Sequence, residues 1–335
     1  MLKKAIGFII VILLVAGGLT VGSYVILNQY GNTPVSDIDR NVIIQIRSGQ
    51  SFRDTARQLT DSGLLHNSIK FRLLARIRRL DTKIQAGEYS LSFRITPNEL
   101  LDNLSTGKTI LYSVTIPEGY NVYQIGNLLE NNEIMDSEVF VAAAMSYERA
   151  RKAGIEGNSF EGYLFPDTYR FPKVIDADTV IKAMITRFRE VFVPEWEKRS
   201  DSIRFSFHEV VTLASIVEKE TGDPSERPLI AAVFLNRLKG GMRLESDPTV
   251  IYGIEDFDGN LTRRDLATYT PYNTYRIKGL PPGPVSNPGL DSLKSILNPA
   301  DKSYLYFVSK NNGTHHFSRT IKEHNRAVRK YQKAK

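Results

Sequence analysis

The stretch from Ser206 to Thr221, SFHEVVTLASIVEKET, reads as a helix with a well-marked start. Ser206 can cap its first turn, Glu209 three residues on completes a capping box, and Phe205 can staple against Val210. Gly222 is a natural stop. At about 100° per residue, Val210, Val211, Leu213, Ala214 and Val217 form a wide apolar sector, with Thr212, Ser215 and Lys219 on a narrow polar stripe opposite. A helix with so wide an apolar face is mostly buried, which requires a domain with a substantial core around it. Glu218 projects between Ala214 and Val211, and Glu220 between Leu213 and Ile216, so both acids point into protein. Loss of water and the negative end of its own helix both raise the pKa of a carboxyl so placed. That is the preparation a general acid needs. A structural acid paired with Lys or Arg fits the same position, and spacing alone leaves the two acids level.

The flanking sequence separates them. Glu161-Gly-Tyr-Leu-Phe-Pro-Asp-Thr-Tyr169 precedes the helix; Val233-Phe-Leu-Asn-Arg-Leu238, Ser246-Asp-Pro-Thr-Val-Ile-Tyr252, Pro271-Tyr-Asn-Thr-Tyr275 and Gly279-Leu-Pro-Pro-Gly-Pro284 follow it. With Ala214-Ser-Ile-Val-Glu-Lys-Glu-Thr221, these motifs resemble, in order and almost end to end, the endolytic murein transglycosylases, the YceG-like family of bacterial peptidoglycan-cleaving enzymes. The resemblance implies that the first Glu of the Glu-Lys-Glu triplet, Glu218, is the catalytic acid. It also implies that one acid suffices. Lytic transglycosylases reuse that acid as a base for the muramic acid's own C6 hydroxyl, closing a 1,6-anhydro ring. Tyr272, Asn273 and Tyr275 resemble the aromatic-Asn element that lines the sugar site in other transglycosylases. Glu161, Asp247 and Tyr252, from the matched motifs, are further candidates for substrate contact. Glu245 departs from the pattern, standing where many relatives are expected to carry Gln. The implied partners are peptidoglycan glycan strands and, beside them, the peptidoglycan synthases (penicillin-binding proteins) and elongation machinery. No cofactor or metal is implied.

At 335 residues with 41% apolar content, the chain can bury one large core and two or three modules. A net charge of +7 suits an anionic membrane surface, an anionic cell-wall polymer or nucleic acid. The basic residues are scattered apart from Arg72 to Arg79 and the Lys322 to Lys335 tail. Neither forms a nucleic-acid-binding motif, which argues against that partner. With no cysteine, disulfides and thiolate chemistry are excluded, and the five histidines show no zinc-ligand spacing.

Residues Ala5 to Leu27 form an uncharged apolar run as long as the roughly 20 residues that cross a bilayer core. Lys3 and Lys4 precede it, so residues 1–30 read as a cytoplasmic tip and an uncleaved single transmembrane anchor, with everything beyond exported from the bacterial inner membrane. Residues 31–40 read as a polar linker. Residues 41–108 follow as strand, helix, helix, strand: Val42 to Ile46; a helix capped by Ser51 with Phe52, Ala56 and Leu59 as its apolar face; a helix from Asn67 carrying Ile69, Leu73, Leu74 and Ile77, with four arginines on the same element; and Ala86 to Ser92. This βααβ unit is similar to a LysM-type glycan-binding module, and a helix from Thr96 closes it. Ile46, Gly49, Phe52, Leu59 and Leu64 recur seventy residues on as Ile116, Gly119, Val122, Leu129 and Ile134, with Asn121 in the capping place of Ser51. Residues 109–158 therefore read as a second strand-helix unit, bridging to a catalytic domain over 159–335. There Ser225 is expected to cap the next helix, Pro248 to lie in a rigid loop, and Leu305 to Val308 to form a late buried strand before a basic helix at Ile321 to Tyr331. The fold class is α+β: an anchor, a small module and a larger mixed catalytic domain.

Ordinary glycosidases flank the scissile bond with two carboxylates. The candidates here for a second acid are Glu161, Asp167, Glu220, Glu245 and Asp247. Glu220 leaves the helix about 160° from Glu218, which turns it away from any cleft they would share. Two functions compete with the lyase: a catalytically silent glycan-binding scaffold, and a hydrolytic muramidase.

Overall fold

The computed structural model describes residues 2–332 except 174, 200–202 and 256, so the last three residues of the basic tail lie outside the described set. The chain is α+β, and its contacts fall into two units: residues 1–112 with 172–175, and residues 113–171 with 176–335.

The first unit begins with α1 (Leu2–Asn32). Among the described residues it is the one helix long and apolar enough to cross a membrane, over Leu13–Asn32, and Leu13, Leu14, Leu19 and Val21 are all exposed. The helix runs two residues into the segment expected as linker. It is held there because Leu27 enters the core of the following module and the Tyr30 hydroxyl donates to the Asn67 carbonyl at 2.9 Å. Next come β1 (Asn41–Ile46), α2 (Phe52–Asp61), α3 (Ser68–Ile77), β2 (Gly87–Ser92) and α4 (Pro97–Thr106). The strands pair antiparallel, Val42 opposite Leu91 and Ile44 opposite Tyr89.

Helix starts are where local chemistry put them: Ser51, Asn67 and Thr96 each accept backbone N–H groups of the first turn. Only part of the apolar surface of α3 faces inward. Phe71, Leu74 and Ala75 are buried, while Ile69, Leu73 and Ile77 are 72, 50 and 57% exposed. Phe71 and the 69/73/77 stripe lie on different sides of a 3.6-residue helix, so one must face out, and the ring wins by stacking on Phe52 at 5.6 Å.

The second unit opens with β3 (Tyr112–Thr115), α5 (Val122–Asn131), α6 (Ser137–Ala144), α7 (Tyr147–Lys152) and β4 (Thr168–Phe171), with β3 beside β4. The offset of seventy is visible in the backbone. Gly49 and Gly119 both take φ 75°, and Ser51 and Asn121 both cap ten-residue helices. Ile46, Leu59 and Leu64 in one copy, and Ile116, Leu129 and Ile134 in the other, are buried. Residues 113–171 pack within the larger unit, where the Ile116 N–H bonds the Asp167 carbonyl and the Gly119 N–H bonds that of Asn287.

The rest comprises α8 (Ala177–Glu197), α9 (Phe207–Glu220), α10 (Arg227–Lys239), α11 (Asp247–Tyr252), α12 (Arg263–Ala267), α13 (Leu290–Leu297), β5 (Tyr306–Ser309), β6 (His315–Ser318) and α14 (Ile321–Tyr331). Helices α9, α10 and α13 pack pairwise around Val210, Leu213, Val217, Ile230, Val233 and Leu293. Three local expectations are corrected. Glu226, not Ser225, stands at the N-cap of α10, because Ser225 turns back to bond Asp223. Pro248 begins α11 rather than a loop, a place where its missing N–H costs nothing. β5 is half of an antiparallel hairpin with β6, and Val308 is its one buried residue.

Because Leu59 and Leu129 fill equivalent fully buried places, Leu59→Ala and Leu129→Ala should each cost about 2–5 kcal/mol in a denaturant titration. A loss under 1 kcal/mol at either would show that its site repacks freely.

Candidate active site

The capping box of α9 forms as its sequence dictates: Ser206 accepts from the Glu209 N–H at 3.2 Å, and Glu209 accepts from the Ser206 N–H at 2.7 Å. Every residue from Val210 to Val217 is buried. Of the polar stripe, Lys219 is exposed while Thr212 and Ser215 are buried: the Thr212 hydroxyl donates to the His208 carbonyl, and Ser215 is met by the 285–289 segment, whose Val285 N–H donates to Ser215 Oγ and whose Ser286 hydroxyl donates to the Ser215 carbonyl.

The Glu218 side chain is 5% exposed. Its Oε1 accepts from Arg227 Nη2 at 2.9 Å, and its Oε2 accepts from the Gly289 N–H at 2.9 Å, at the start of α13. Burial pushes its pKa above the usual carboxylate range. Ser292, Gly289 and Arg227 favour the charged form and pull against that, and Glu118 adds a like charge. Arg227 is itself buried. Its Nη2 also donates to Glu118 at 3.1 Å, and its Nη1 stands 3.8 Å from Asp291. Glu118 and Asp291 are half and largely exposed, so the buried Glu218–Arg227 pair sits behind two carboxylates open to solvent. The Glu118 carboxylate lies where a Cβ on Gly289 would stand, so a side chain there would displace Glu118 from its place beside Arg227.

Asn287 ties this corner together. Its Oδ1 accepts the N–H groups of Gly162 and Leu164 at 2.9 Å, and its Nδ2 donates to the Tyr120 carbonyl and to Glu161 Oε1. Glu161 is 2% exposed, and its Oε2 takes the Val122 N–H and the Tyr252 hydroxyl, both at 3.1 Å. The Glu161 carboxyl is pushed up to about 7 by burial, against those donors. Buried and saturated, it orients Asn287 and Tyr252 and has no oxygen left to meet a substrate. Gly162, at φ 88°, admits the Pro284 ring where a Cβ would stand.

Glu220 faces elsewhere, as its angle on the helix required. It accepts from the Ser246 hydroxyl, and burial pushes its pKa up to about 7. Asp247, exposed, accepts from the Tyr275 hydroxyl at 2.7 Å. Asn273 is corrected as a sugar contact. It is fully buried, its Nδ2 donates to the carbonyls of Asp265, Leu266 and Thr268, and its Oδ1 holds the Tyr275 N–H. It builds the turn that presents Tyr272 and Tyr275. Tyr272 packs on Tyr252 with ring centres 4.8 Å apart. Tyr252 lines a cleft of about 670 Å³ with Asn121, Tyr123, Lys219, Ile251 and Phe257. Lys219, next in the chain to Glu218, donates to the Gly119 carbonyl at 3.2 Å. Glu245 takes φ 53° and pairs with Arg237 at 3.0 Å. Asp167 is bound by Arg187 at 2.7 Å.

Sequence reasoning missed Glu118, Arg227, Asn287, Gly289 and Ser292. Only Arg227 and Glu118 carry a signal that could have found them. A cation at the first position of a helix opposes the helix dipole and needs carboxylates nearby, as Arg227 has. In the second repeat Glu118 replaces Ser48, an acid where the first repeat has none.

A family model described as the YceG-like family matches residues 44–330. The chain is 31% identical over 332 residues to a protein of Bacillus subtilis (strain 168) named endolytic murein transglycosylase, covering 91% of this chain and 90% of that one. A protein of the same name from Streptococcus pneumoniae serotype 2 (strain D39 / NCTC 7466) is 29% identical over 364 residues, covering 98% of this chain and 66% of the relative. A solved yceG-like protein from Listeria monocytogenes superposes with a TM-score of 0.59 at 30% identity, covering 86% of this chain and 98% of that one.

The raised pKa of Glu220 fixes a sign for stability. The folded state holds this proton more tightly than the unfolded state, so its stabilising contribution is full below about pH 4.5 and is lost as pH rises to about 7. Relative to Glu220→Gln, the unsubstituted chain should lose up to about 3 kcal/mol across that window in denaturant titrations. A difference that stays flat with pH would contradict the placement of Glu220.

Proposed function

The chain belongs to the YceG-like family, and on that premise we propose that it is a membrane-anchored endolytic lytic transglycosylase that cuts within peptidoglycan strands, with Glu218 its acid and then its base. The observation that carries the reading is the setting of Glu218: a carboxyl with proton affinity raised by burial, yet already provided with an Arg227 N–H and the Gly289 N–H for the moment it becomes an anion. The names of the Bacillus and Streptococcus relatives support the substrate class.

In the proposed reaction Glu218 gives its proton to the glycosidic oxygen as the bond from muramic acid C1 to that oxygen breaks. Positive charge develops at C1 and the ring oxygen. The Glu218 carboxylate then takes the proton of the muramic C6 hydroxyl while O6 bonds to C1. One bond breaks, one forms, and Glu218 ends as it began, with no water consumed. The C6 hydroxyl, tethered to its own ring, outcompetes water by effective concentration. Tyr252, Tyr272 and Tyr275 offer ring faces for sugars, and Glu161 and Asp247 hold two of them in place. A hydrolytic muramidase is the second reading, favoured by one finding: Glu118 shares the Arg227 Nη2 with Glu218, so a second carboxylate lies close by.

The apolar run 5–27 behind Lys3 and Lys4 supports an anchor in the bacterial cytoplasmic membrane with the catalytic domain outside it, beside the synthases and elongation machinery that make glycan. We assign residues 41–108 to a LysM-like module that holds that glycan.

Glu218→Gln should abolish release of glycan fragments from purified cell wall in a chain that still folds but with a lowered unfolding midpoint, since the amide oxygen can keep the Gly289 bond while the amide NH2 then faces the buried Arg227. Glu220→Gln should retain measurable activity. Near-normal turnover by the first variant, or complete loss in the second alone, would move the acid elsewhere.

A further inference from the structure

The exposed side of α3 is strongly patterned and largely uncovered, its one ring contact being Lys70 over Tyr30 of α1 at 5.8 Å. Ile69, Leu73 and Ile77, at successive intervals of four, make an apolar stripe more exposed than not. Arg72 and Arg76 flank it on one side and Lys70 on the other, all exposed, and Arg79 follows at the end of the helix. Arg72, Arg76 and Arg79 make no ion pair among the described residues, and no acid interrupts the sequence from Asn67 to Leu80. Arg78 is different, being tied to Asp102 at 2.6 Å.

The stripe adjoins the apolar stem. Leu73 and Ile77 share a groove of about 380 Å³ with Leu19, Thr20, Ser23, Tyr24 and Leu27 of α1. The junction is fixed rather than hinged. Leu27 lies in the module core, Tyr30 bonds the Asn67 carbonyl, Asn98 bonds Asn32, and a Cβ on Gly31 would press on Asn98 and Leu74. From Ala5, about 20 residues of helix cover the hydrocarbon thickness, which brings the outer boundary to the level of Thr20 to Tyr24, the residues that face Leu73 and Ile77. An exposed tyrosine, Tyr24, stands at that level, the depth at which aromatic belts form.

We propose that α3 is a membrane-seating helix: Ile69, Leu73 and Ile77 dip into the outer leaflet beside α1, while Lys70, Arg72, Arg76 and Arg79 meet anionic lipid headgroups. The inference rests on the proposed anchor. It adds that the module is docked on the bilayer by a second, electrostatic contact rather than hanging from a tether.

The chain contains no cysteine, so single cysteines can be introduced and labelled without background. Full-length variants Leu14→Cys, Arg57→Cys, Leu73→Cys and Ile77→Cys, each carrying an environment-sensitive fluorophore, would be reconstituted in phosphatidylcholine vesicles with and without phosphatidylglycerol. Nitroxide-labelled lipid and aqueous iodide would then be compared as quenchers. Labels at 14, 73 and 77 should be quenched by the lipid and that at 57 by iodide. Quenching at 73 and 77 should be severalfold stronger with phosphatidylglycerol, a gain removed by Arg72→Glu with Arg76→Glu. Lipid quenching at 14 but iodide quenching at 73 and 77 would overturn the proposal and leave the anchor standing. Shielding of 73 and 77 from both quenchers would assign the face to a second protein copy and also overturn it. Iodide quenching at 14 would remove the anchor, and the seating helix with it.

Discussion

A carboxylate withdrawn from water must receive a proton or be given donors that do what water did, because an unpaired ion in the interior costs several kcal/mol even after the surroundings relax. The larger unit is arranged around that demand at Glu218. An apolar helix carries the side chain inward. One oxygen is met by the N–H of Gly289, the residue that precedes α13 at the positive end of that helix, and the other by Arg227. Arg227 is then a buried cation needing carboxylates of its own, which Glu118 and Asp291 supply from the solvent side. Each solution creates the next requirement, and the sequence of requirements ends at the surface.

Holding that arrangement takes a second network with little charge in it. The side-chain amide of Asn287 ties its own 285–289 segment to two others, the 119–120 turn and the 161–164 turn, and so brings Glu118 and Gly289 to Glu218. Glu161 serves as the acceptor that keeps Asn287 from rotating. Glu161 and Glu220, both pushed up to about 7 by burial, are bound by protein donors, the first by Asn287 and Tyr252 and the second by Ser246, whereas the proposed reaction leaves the passing of the proton to Glu218.

What the sequence disclosed follows from the range of the forces involved. Caps at Ser51, Asn67, Thr96, Asn121 and Ser206 are readable because a cap bonds within three residues of itself. The divergence of Glu218 and Glu220 is readable from helical period alone. The pairing of Arg227 with Glu118 joins residues 109 apart, and that of Glu218 with Gly289 residues 71 apart, distances at which no local pattern operates. Asn273 misled because an Asn beside tyrosines fits equally a sugar contact and a backbone staple, and only its three carbonyl partners decide between them. The facing of α3 is not legible in the sequence, because Ile69, Leu73 and Ile77 offer one apolar side and Phe71, Leu74 and Ala75 another, and only packing such as Phe71 on Phe52 decides between them.

The account turns on one carboxyl doing both halves of the reaction although Glu118 lies near enough to take one of them. The direct measurement is to digest uncrosslinked glycan strands with the full-length protein in oxygen-18 water and to weigh the new muramyl ends by mass spectrometry. A single acid-base at Glu218 gives 1,6-anhydro ends that carry no label, because the ring closes on the sugar's own oxygen. Reducing ends carrying oxygen-18 as the main product would contradict it, and would assign the activation of water to a second carboxylate, with Glu118 the nearest.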